Sequence, residues 1–298
     1  MMDRTLQARN LPDLQVVSRE ERLRRLQWEI YGETPKTGAV SARLVDANAH
    51  AFADQAVQEH LQETVEMPIG TFSFPFTLIY PKRVEKCPVF LLINFRSDIP
   101  DLYLPAEELL QAGYAIAMLD YQTVAPDAAG SCALTEAVSV DDAHGWGRIG
   151  MWAWAASRVM DVLETRAELD AKRVAVCGHS RLGKTALWCG AQDARFSCVI
   201  SNDSGCAGAA LHRGKIGENV AAIVKQFPFW FCAHFAQYAG REQALPFDQH
   251  FLLSLIAPRR LYVASAVQDE WADPLSEYLC CRAASAAYEG MGLQGLVS

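Results

Sequence analysis

The sequence predicts an α/β fold in three layers, with a mostly parallel central sheet that begins with an antiparallel N-terminal part. Three observations predict it. From Pro88 onward, short continuous apolar runs alternate with helix-like segments, the pattern of strands buried on both faces and joined by helical crossovers. Before Pro88 the strand-like segments alternate apolar and polar residues, most regularly in Phe72-Ser-Phe-Pro-Phe-Thr-Leu-Ile-Tyr80, as half-buried antiparallel strands do. Finally, Val174-Ala-Val-Cys-Gly-His-Ser-Arg-Leu-Gly-Lys184 runs from an apolar strand through a glycine-flanked turn into a helix, with Ser180 at the apex.

The elements follow in order. Ser18-Arg-Glu-Glu21 has the form of a capping box and opens a helix through about Tyr31, stopped by Gly32 and Pro35. Strands are expected over Val40–Val45, about His60–Met67 and Phe72–Tyr80, with Pro75 marking an edge or a bulge. Pro88–Asn94 and Tyr114–Leu119 read as buried strands flanking a helix at Leu104–Ala112. A loop from Gln122 to about His144 leads to a long helix, Trp146–Glu168. Strands at Arg173–Cys177, Ser197–Ser201 and Arg260–Ser265 then alternate with helices at Arg181–Ala191, Phe251–Ile256 and Pro274–Glu289. Repeats, low-complexity tracts and interdomain linkers are lacking. One domain over residues 1–298 is expected, residues 1–39 forming an N-terminal helical extension.

Composition narrows the function. The chain has 298 residues, 51% hydrophobic and 21% charged, with a formal net charge of −8. An acidic surface without a basic cluster disfavours nucleic acid; Arg22-Leu-Arg-Arg25 is short, interleaved with acids and reads as a solvated helix face. No apolar stretch reaches the roughly 20 residues of a membrane span, and the first ten residues lack a signal-peptide core. Nine cysteines, an odd number without a CxxC pair, read as small buried hydrophobes in a reducing compartment. A cytoplasmic protein is the expectation. No cofactor is implied: a phosphate-binding glycine loop is lacking, and the His and Cys residues lack metal-ligand spacing. Oligomeric state is not addressed by the sequence.

Ser180 carries the first hint of chemistry. A serine on a sharp strand-to-helix turn is pushed clear of the sheet, although serine is also a favoured N-cap. The second glycine, Gly183, lies one place later than in G-x-S-x-G. Ligands of parallel sheets sit at the carboxyl ends of strands, and two later strands end in turns carrying carboxylates, Asn202-Asp-Ser-Gly-Cys206 and Gln268-Asp-Glu-Trp-Ala-Asp-Pro274. Asp203 and Asp269, beyond successive strands after Ser180, favour an active site over ordinary turn composition.

The segments Trp146-Gly-Arg-Ile-Gly150, Gly178-His-Ser-Arg-Leu-Gly-Lys184, Asn202-Asp-Ser-Gly205, Gly217-Glu218, Pro228-Phe-Trp-Phe231, Asp248-Gln-His250, Ala257-Pro-Arg259 and Trp271-Ala-Asp-Pro274 carry a resemblance. In order and approximate spacing, over roughly Pro88 to Gly292, the chain resembles the glucuronoyl esterases of carbohydrate esterase family 15, especially bacterial members. The resemblance implies an α/β-hydrolase fold and Ser180 as nucleophile. It implies that Asp203, Asp269 or both supply the acid; many members have Glu where Asp203 stands, one methylene longer. Arg181 resembles the arginine that helps bind the developing oxyanion, Lys184 and Glu218 residues that hold sugar hydroxyls, and Trp271 one that packs beside the sugar. Gln249 and His250 are expected to be structural. Independently, ester hydrolysis by serine needs a base and an oxyanion donor, and a cation at a helix start opposes the dipole, which favours a working role for Arg181.

A histidine should follow the acid in this fold. The seven histidines are His50, His60, His144, His179, His212, His234 and His250, and none follows Asp269. The resemblance implies one more strand, a loop with the catalytic histidine and a closing helix. The expectation is a C-terminally truncated chain, lacking the last strand and helix and weakly active at best. A site rewired through His250 or His179, or loss of catalysis, are the alternatives. The leading function is a serine carboxylesterase acting on (4-O-methyl-)glucuronate esters, its partner a small-molecule or oligosaccharide ester. An acetyl-xylan-type deacylase and a non-catalytic carbohydrate-binding or vestigial protein are the competing readings.

Overall fold

The computed structural model describes residues 2–138 and 144–297; residues 139–143, within the loop expected before His144, lie outside the described residues. Eight strands form one sheet: β1 (Val40–His50), β2 (Ala56–Glu66), β3 (Thr71–Pro81), β4 (Cys87–Asn94), β5 (Ala115–Asp120), β6 (Leu169–His179), β7 (Cys198–Asn202) and β8 (Arg260–Ala264). Their order is β1-β2-β3-β5-β4-β6-β7-β8. The pairs from β1 to β5 by way of β3 are antiparallel. Those from β5 through β4 to β8 are parallel. The division at Pro88 in the sequence is therefore the division between hairpin and crossover connections.

Local chemistry explains the elements. Ser18 Oγ accepts the Glu21 N–H at 3.2 Å and starts the Arg19–Leu26 helix. Only half of the capping box forms, because the Glu21 carboxylate pairs with Arg24 and Arg25 instead. Pro75 faces Gln62 of β2, while β5 reaches β3 only at Thr77–Ile79. The missing N–H of Pro75 thus falls on an unpaired edge, as its chemistry requires. The Pro274–Glu289 helix begins at Asp273, whose carboxylate accepts Ser276 N–H at 3.1 Å.

The helices divide unequally between the faces. Arg148–Leu163, Arg181–Gln192 and Pro274–Glu289 share the main core, centred on fully buried Trp152 and Trp188. The Ala106–Gln111 helix covers β3 and β5 on the other face, through a smaller cluster with Ile79, Ile116 and Met118. The N-terminal segment reaches deep into the main core: Leu26, Ile30 and Tyr31 are fully buried, and Tyr31 stacks on Trp188 at 4.3 Å. At the far edge, β8 is met on its outer side at Leu261 by Val297. No helix among the described residues is long and apolar enough to cross a membrane.

The topology also locates a crevice. The chain steps from β4 to β5 on one side and to β6 on the other. The carboxyl ends of β4 and β6 flank this reversal, where ligands of open α/β sheets bind.

Two acids break the apolar inward face of β2: Glu59, which is paired with Arg166, and Glu63. Glu63 occupies an inward position between Leu61 and Val65, fully buried, and neither carboxylate oxygen has a hydrogen-bond partner among the described residues. Burial pushes its carboxyl up to about 9, with Asp161 reinforcing and Arg158 opposing the shift. The folded chain therefore holds a proton that the unfolded chain releases near pH 4.5. Stability from this group is complete below that pH and lost as pH rises toward 9. Glu63→Gln is expected to match the wild type near pH 4.5 and to exceed it at pH 8.5 by up to about 5 kcal/mol, measured by urea unfolding. Parallel stability profiles for the two proteins would contradict this.

Candidate active site

The site starts from a backbone constraint. Ser180 closes β6 with φ 56° and ψ −123°, a region in which a non-glycine residue is strained. Its N–H donates to Asn202 O at 2.8 Å, tying the turn to the end of β7. The two glycines serve different contacts. A Cβ on Gly178 would lie 2.1 Å from Leu182 O, so glycine is what lets the chain double back. A Cβ on Gly183 would meet Ser201 Oγ and Ser204 Cβ at 3.0 Å. Gly183 thus lets the new helix lie close on the end of β7, which accounts for its position one residue beyond the usual spacing.

All seven sequence-predicted site residues come together around one cavity of about 210 Å³: Ser180, Arg181, Lys184, Asp203, Glu218, Asp269 and Trp271. Arg181 and Lys184 lie on the first turn of the helix after Ser180. Lys184 is 3% exposed; its ammonium donates to Ser204 O at 2.5 Å and faces Glu218 at 3.4 Å. Gly217, at φ 66°, brings the Glu218 loop against the backbone of Glu270 and Trp271, and Glu218 N–H donates to Trp271 O at 3.0 Å. Trp271 is 55% exposed at the cavity rim. Asp203 accepts Ala266 N–H at 2.6 Å, joining the ends of β7 and β8. Asp269 accepts Ala272 N–H at 3.0 Å. Each of these two carboxylates keeps its second oxygen free of a hydrogen bond among the described residues.

Four further residues shape the site. Asp127 forms an ion pair with Arg181 and accepts the Trp230 indole N–H at 2.6 Å. Phe227 and Trp230 stack face to face at 3.8 Å and line the cavity. Glu277, fully buried, accepts Gly205 N–H at 2.7 Å and the hydroxyl of Ser265, so the Pro274–Glu289 helix holds both strand ends. Burial pushes the Glu277 carboxyl up, against the opposing bonds from Ser265 and Gly205. Asp127 sits in an aperiodic loop, and no sequence pattern marked it. Glu277 had a signal, an acid on the helix face of Cys280, Ala284 and Tyr288.

Each histidine is engaged away from Ser180. His179 Nδ1 accepts from Asn202, and its ring stacks on Tyr103. His250 donates to Pro12 O at 3.0 Å, and His212 Nε2 accepts Ala207 N–H at 3.2 Å. His50, His60, His144 and His234 pair with Asp54, Thr77, Trp28 O and Glu29. Gln249 bridges Tyr31 OH and Gly208 O inside the core, so Gln249 and His250 are structural. Among the described residues no group of three or more His, Cys, Asp or Glu side chains is gathered as a metal site. The arrangement offers a serine hydroxyl at the cavity wall, a fixed cation and two carboxylates at one crevice, the components of acyl transfer apart from an imidazole.

Comparison with known proteins bears on the family. A family model described as glucuronyl esterase, fungi, matches residues 64–292. The carbohydrate esterase MZ0003 from an unknown prokaryotic organism is 52% identical over 151 residues, 51% of this chain and 35% of that protein. The 4-O-methyl-glucuronoyl methylesterase of Podospora anserina is 37% identical over 159 residues, 50% of this chain and 33% of that protein. The matched stretch thus spans about a third of the length of these curated relatives. Among solved structures, a promiscuous CE15 esterase from a marine bacterial metagenome superimposes with a TM-score of 0.82 at 32% identity, over 92% of this chain and 79% of that one. The Sporotrichum thermophile glucuronoyl esterase in complex with methyl 4-O-methyl-β-D-glucopyranuronate gives 0.75 at 25% identity, over 92% and 72%. The relatives also correct one expectation. The fungal glucuronoyl esterases are secreted, extracellular enzymes, so the cytoplasmic assignment does not stand. It rested on the first ten residues, which lack a signal-peptide core, and on nine cysteines, all free in the structure; thiols used as small hydrophobes carry no compartment signal. With a family model matching more than half its length and a crystal relative aligned over most of both chains, the chain belongs to the glucuronoyl esterase family, carbohydrate esterase family 15.

Proposed function

We propose that this chain holds the substrate site and nucleophile of a serine carboxylesterase for esters of glucuronate or 4-O-methyl-glucuronate. The carrying observation is the strained turn that presents Ser180 to a cavity shared with Arg181, Lys184, Glu218 and Trp271. Ser180 Oγ attacks the uronate carbonyl carbon and its proton passes to a base. The tetrahedral oxyanion is met by Arg181, whose Nε is buried with no hydrogen-bond partner among the described residues. Collapse expels the alcohol and leaves the uronoyl ester on Ser180, which water clears. Lys184 and Glu218, desolvated and paired, offer a donor and an acceptor to sugar hydroxyls, and Trp271 offers a face to the ring. Asp203 and Asp269 are the carboxylates that would orient an imidazole.

None of the seven histidines reaches Ser180, so these 298 residues alone turn substrate over slowly. Imidazole supplied in solution should act as the missing base. With methyl D-glucuronate as substrate, the chain is expected to show low hydrolysis that rises saturably with imidazole, and Ser180→Ala to abolish the rise. Family-like rates without imidazole would overturn the missing-base reading. A rise unaffected by Ser180→Ala would overturn the assignment of the nucleophile. Hydrolysis of acetylated xylo-oligosaccharides but not of the uronate ester would favour a deacylase.

The contributions of the two cations should separate. Arg181→Ala is expected to lower the imidazole-dependent kcat by about 10²–10³, the usual loss for one oxyanion donor. Lys184→Ala is expected to raise KM more than it lowers kcat, as loss of uniform binding does. Equal effects of the two substitutions on kcat and KM would contradict these roles.

A further inference from the structure

We infer that Asp127 is a positioning residue that aims Arg181 and screens its charge, so that the site accepts a neutral uronate ester and lets the acid product leave. The inference rests on the reading of the cavity as a uronate ester site.

The observations form a chain of contacts. The loop carrying Asp127 is bound to the Arg148–Leu163 helix. Arg148, 4% exposed, donates to Pro126 O at 2.9 Å, Gly130 O at 2.7 Å and Ala128 O at 3.2 Å, and Trp152 donates to Ala125 O at 2.9 Å. The Asp127 carboxylate, 11% exposed, is thereby presented to Arg181. One oxygen accepts from Arg181 Nη1 and from Tyr121 OH at 3.2 Å; the other accepts Trp230 Nε1 at 2.6 Å. The guanidinium is also packed by rings, 4.9 Å from Trp230, 5.7 Å from Phe227 and 5.8 Å from Phe95. With Nη1 held and the plane confined by aromatic faces, the group has little rotational freedom, and Nε, buried, and Nη2 carry no hydrogen bond among the described residues.

The same contact governs charge. Arg181 and Lys184 are the cations lining the cavity, and each already faces a carboxylate, Asp127 and Glu218. A neutral ester carbonyl needs only one of the guanidinium N–H groups that Asp127 leaves free. The product is a carboxylate, and an uncompensated guanidinium beside it would form a charge-assisted bond and retain it. Asp127 removes that attraction while leaving the donor in place. Tyr121, Asp203 and Asp269 add no cation to the surroundings.

Calorimetric titration of the 298-residue chain with sodium D-glucuronate and with methyl D-glucuronate tests this without requiring turnover. The wild type is expected to bind the ester at least as tightly as the acid. Asp127→Asn should tighten acid binding about fivefold or more while changing ester binding less than twofold. The gain should vanish in Arg181→Ala/Asp127→Asn. An unchanged acid-to-ester ratio, or a gain that survives loss of Arg181, overturns the role of Asp127. Binding of neither compound by the wild type would instead contradict the functional reading. In the wild type itself, the Arg181 Nε–H resonance should be protected from solvent exchange and should move on adding ester; exchange as fast as that of the exposed Arg24 also overturns the inference.

Discussion

The site depends on the backbone of Ser180. A left-handed φ at a residue with a Cβ costs of the order of 1–3 kcal/mol and persists only where its surroundings enforce it. Here three constraints do so: the parallel pairing of β6 with β7, the Ser180 N–H to Asn202 O bond, and the close approach of Leu182 O to Gly178. Once the turn is set, the helix beginning at Arg181 has its direction, and one turn places Arg181 and Lys184 beside the serine. The remaining site residues arrive from the ends of β7 and β8, which the sheet already holds side by side.

Around that turn, buried charges are held in pairs and bound to backbone. Lys184 answers Glu218, Arg181 answers Asp127, and Glu277 secures the loops after β7 and β8 from beneath. Removing one member of such a pair leaves the other desolvated and uncompensated, which costs more than the pair contributes. The cavity is therefore a rigid arrangement of donors and acceptors, suited to meeting charge that develops during reaction.

Much of this was legible in the sequence where the physics is local or periodic. Continuous apolar runs identified β4, β5 and β6, because a strand covered on both faces has no polar side; β8, at the sheet edge, leaves Arg260 and Tyr262 exposed. Ser18, Pro75 and Pro274 marked boundaries through their own hydrogen-bonding capacity. The strand-turn-helix at Ser180 was visible for the same reason, and the sheet then brought Asp203 and Asp269 to it as the strand order requires. What escaped was carried by contacts between distant segments. Asp127 reaches Arg181 across 54 positions from a loop with no periodicity. Trp230 lay in a recognisable segment, but its bond to Asp127 spans 103 positions. The inward Glu63 defies the alternation that identified its strand. The location of the protein was misread because neither ten residues without a signal-peptide core nor buried free thiols, which have a packing explanation, decide a compartment.

Ser180 is proposed as the acyl acceptor within this cavity. Its most direct test is peptide-mapped mass spectrometry of the chain incubated with methyl D-glucuronate and imidazole and quenched in acid. The predicted result is a single glucuronoyl adduct on the peptide containing Ser180. An adduct on any other residue, or none under conditions where the ester is consumed, would contradict it.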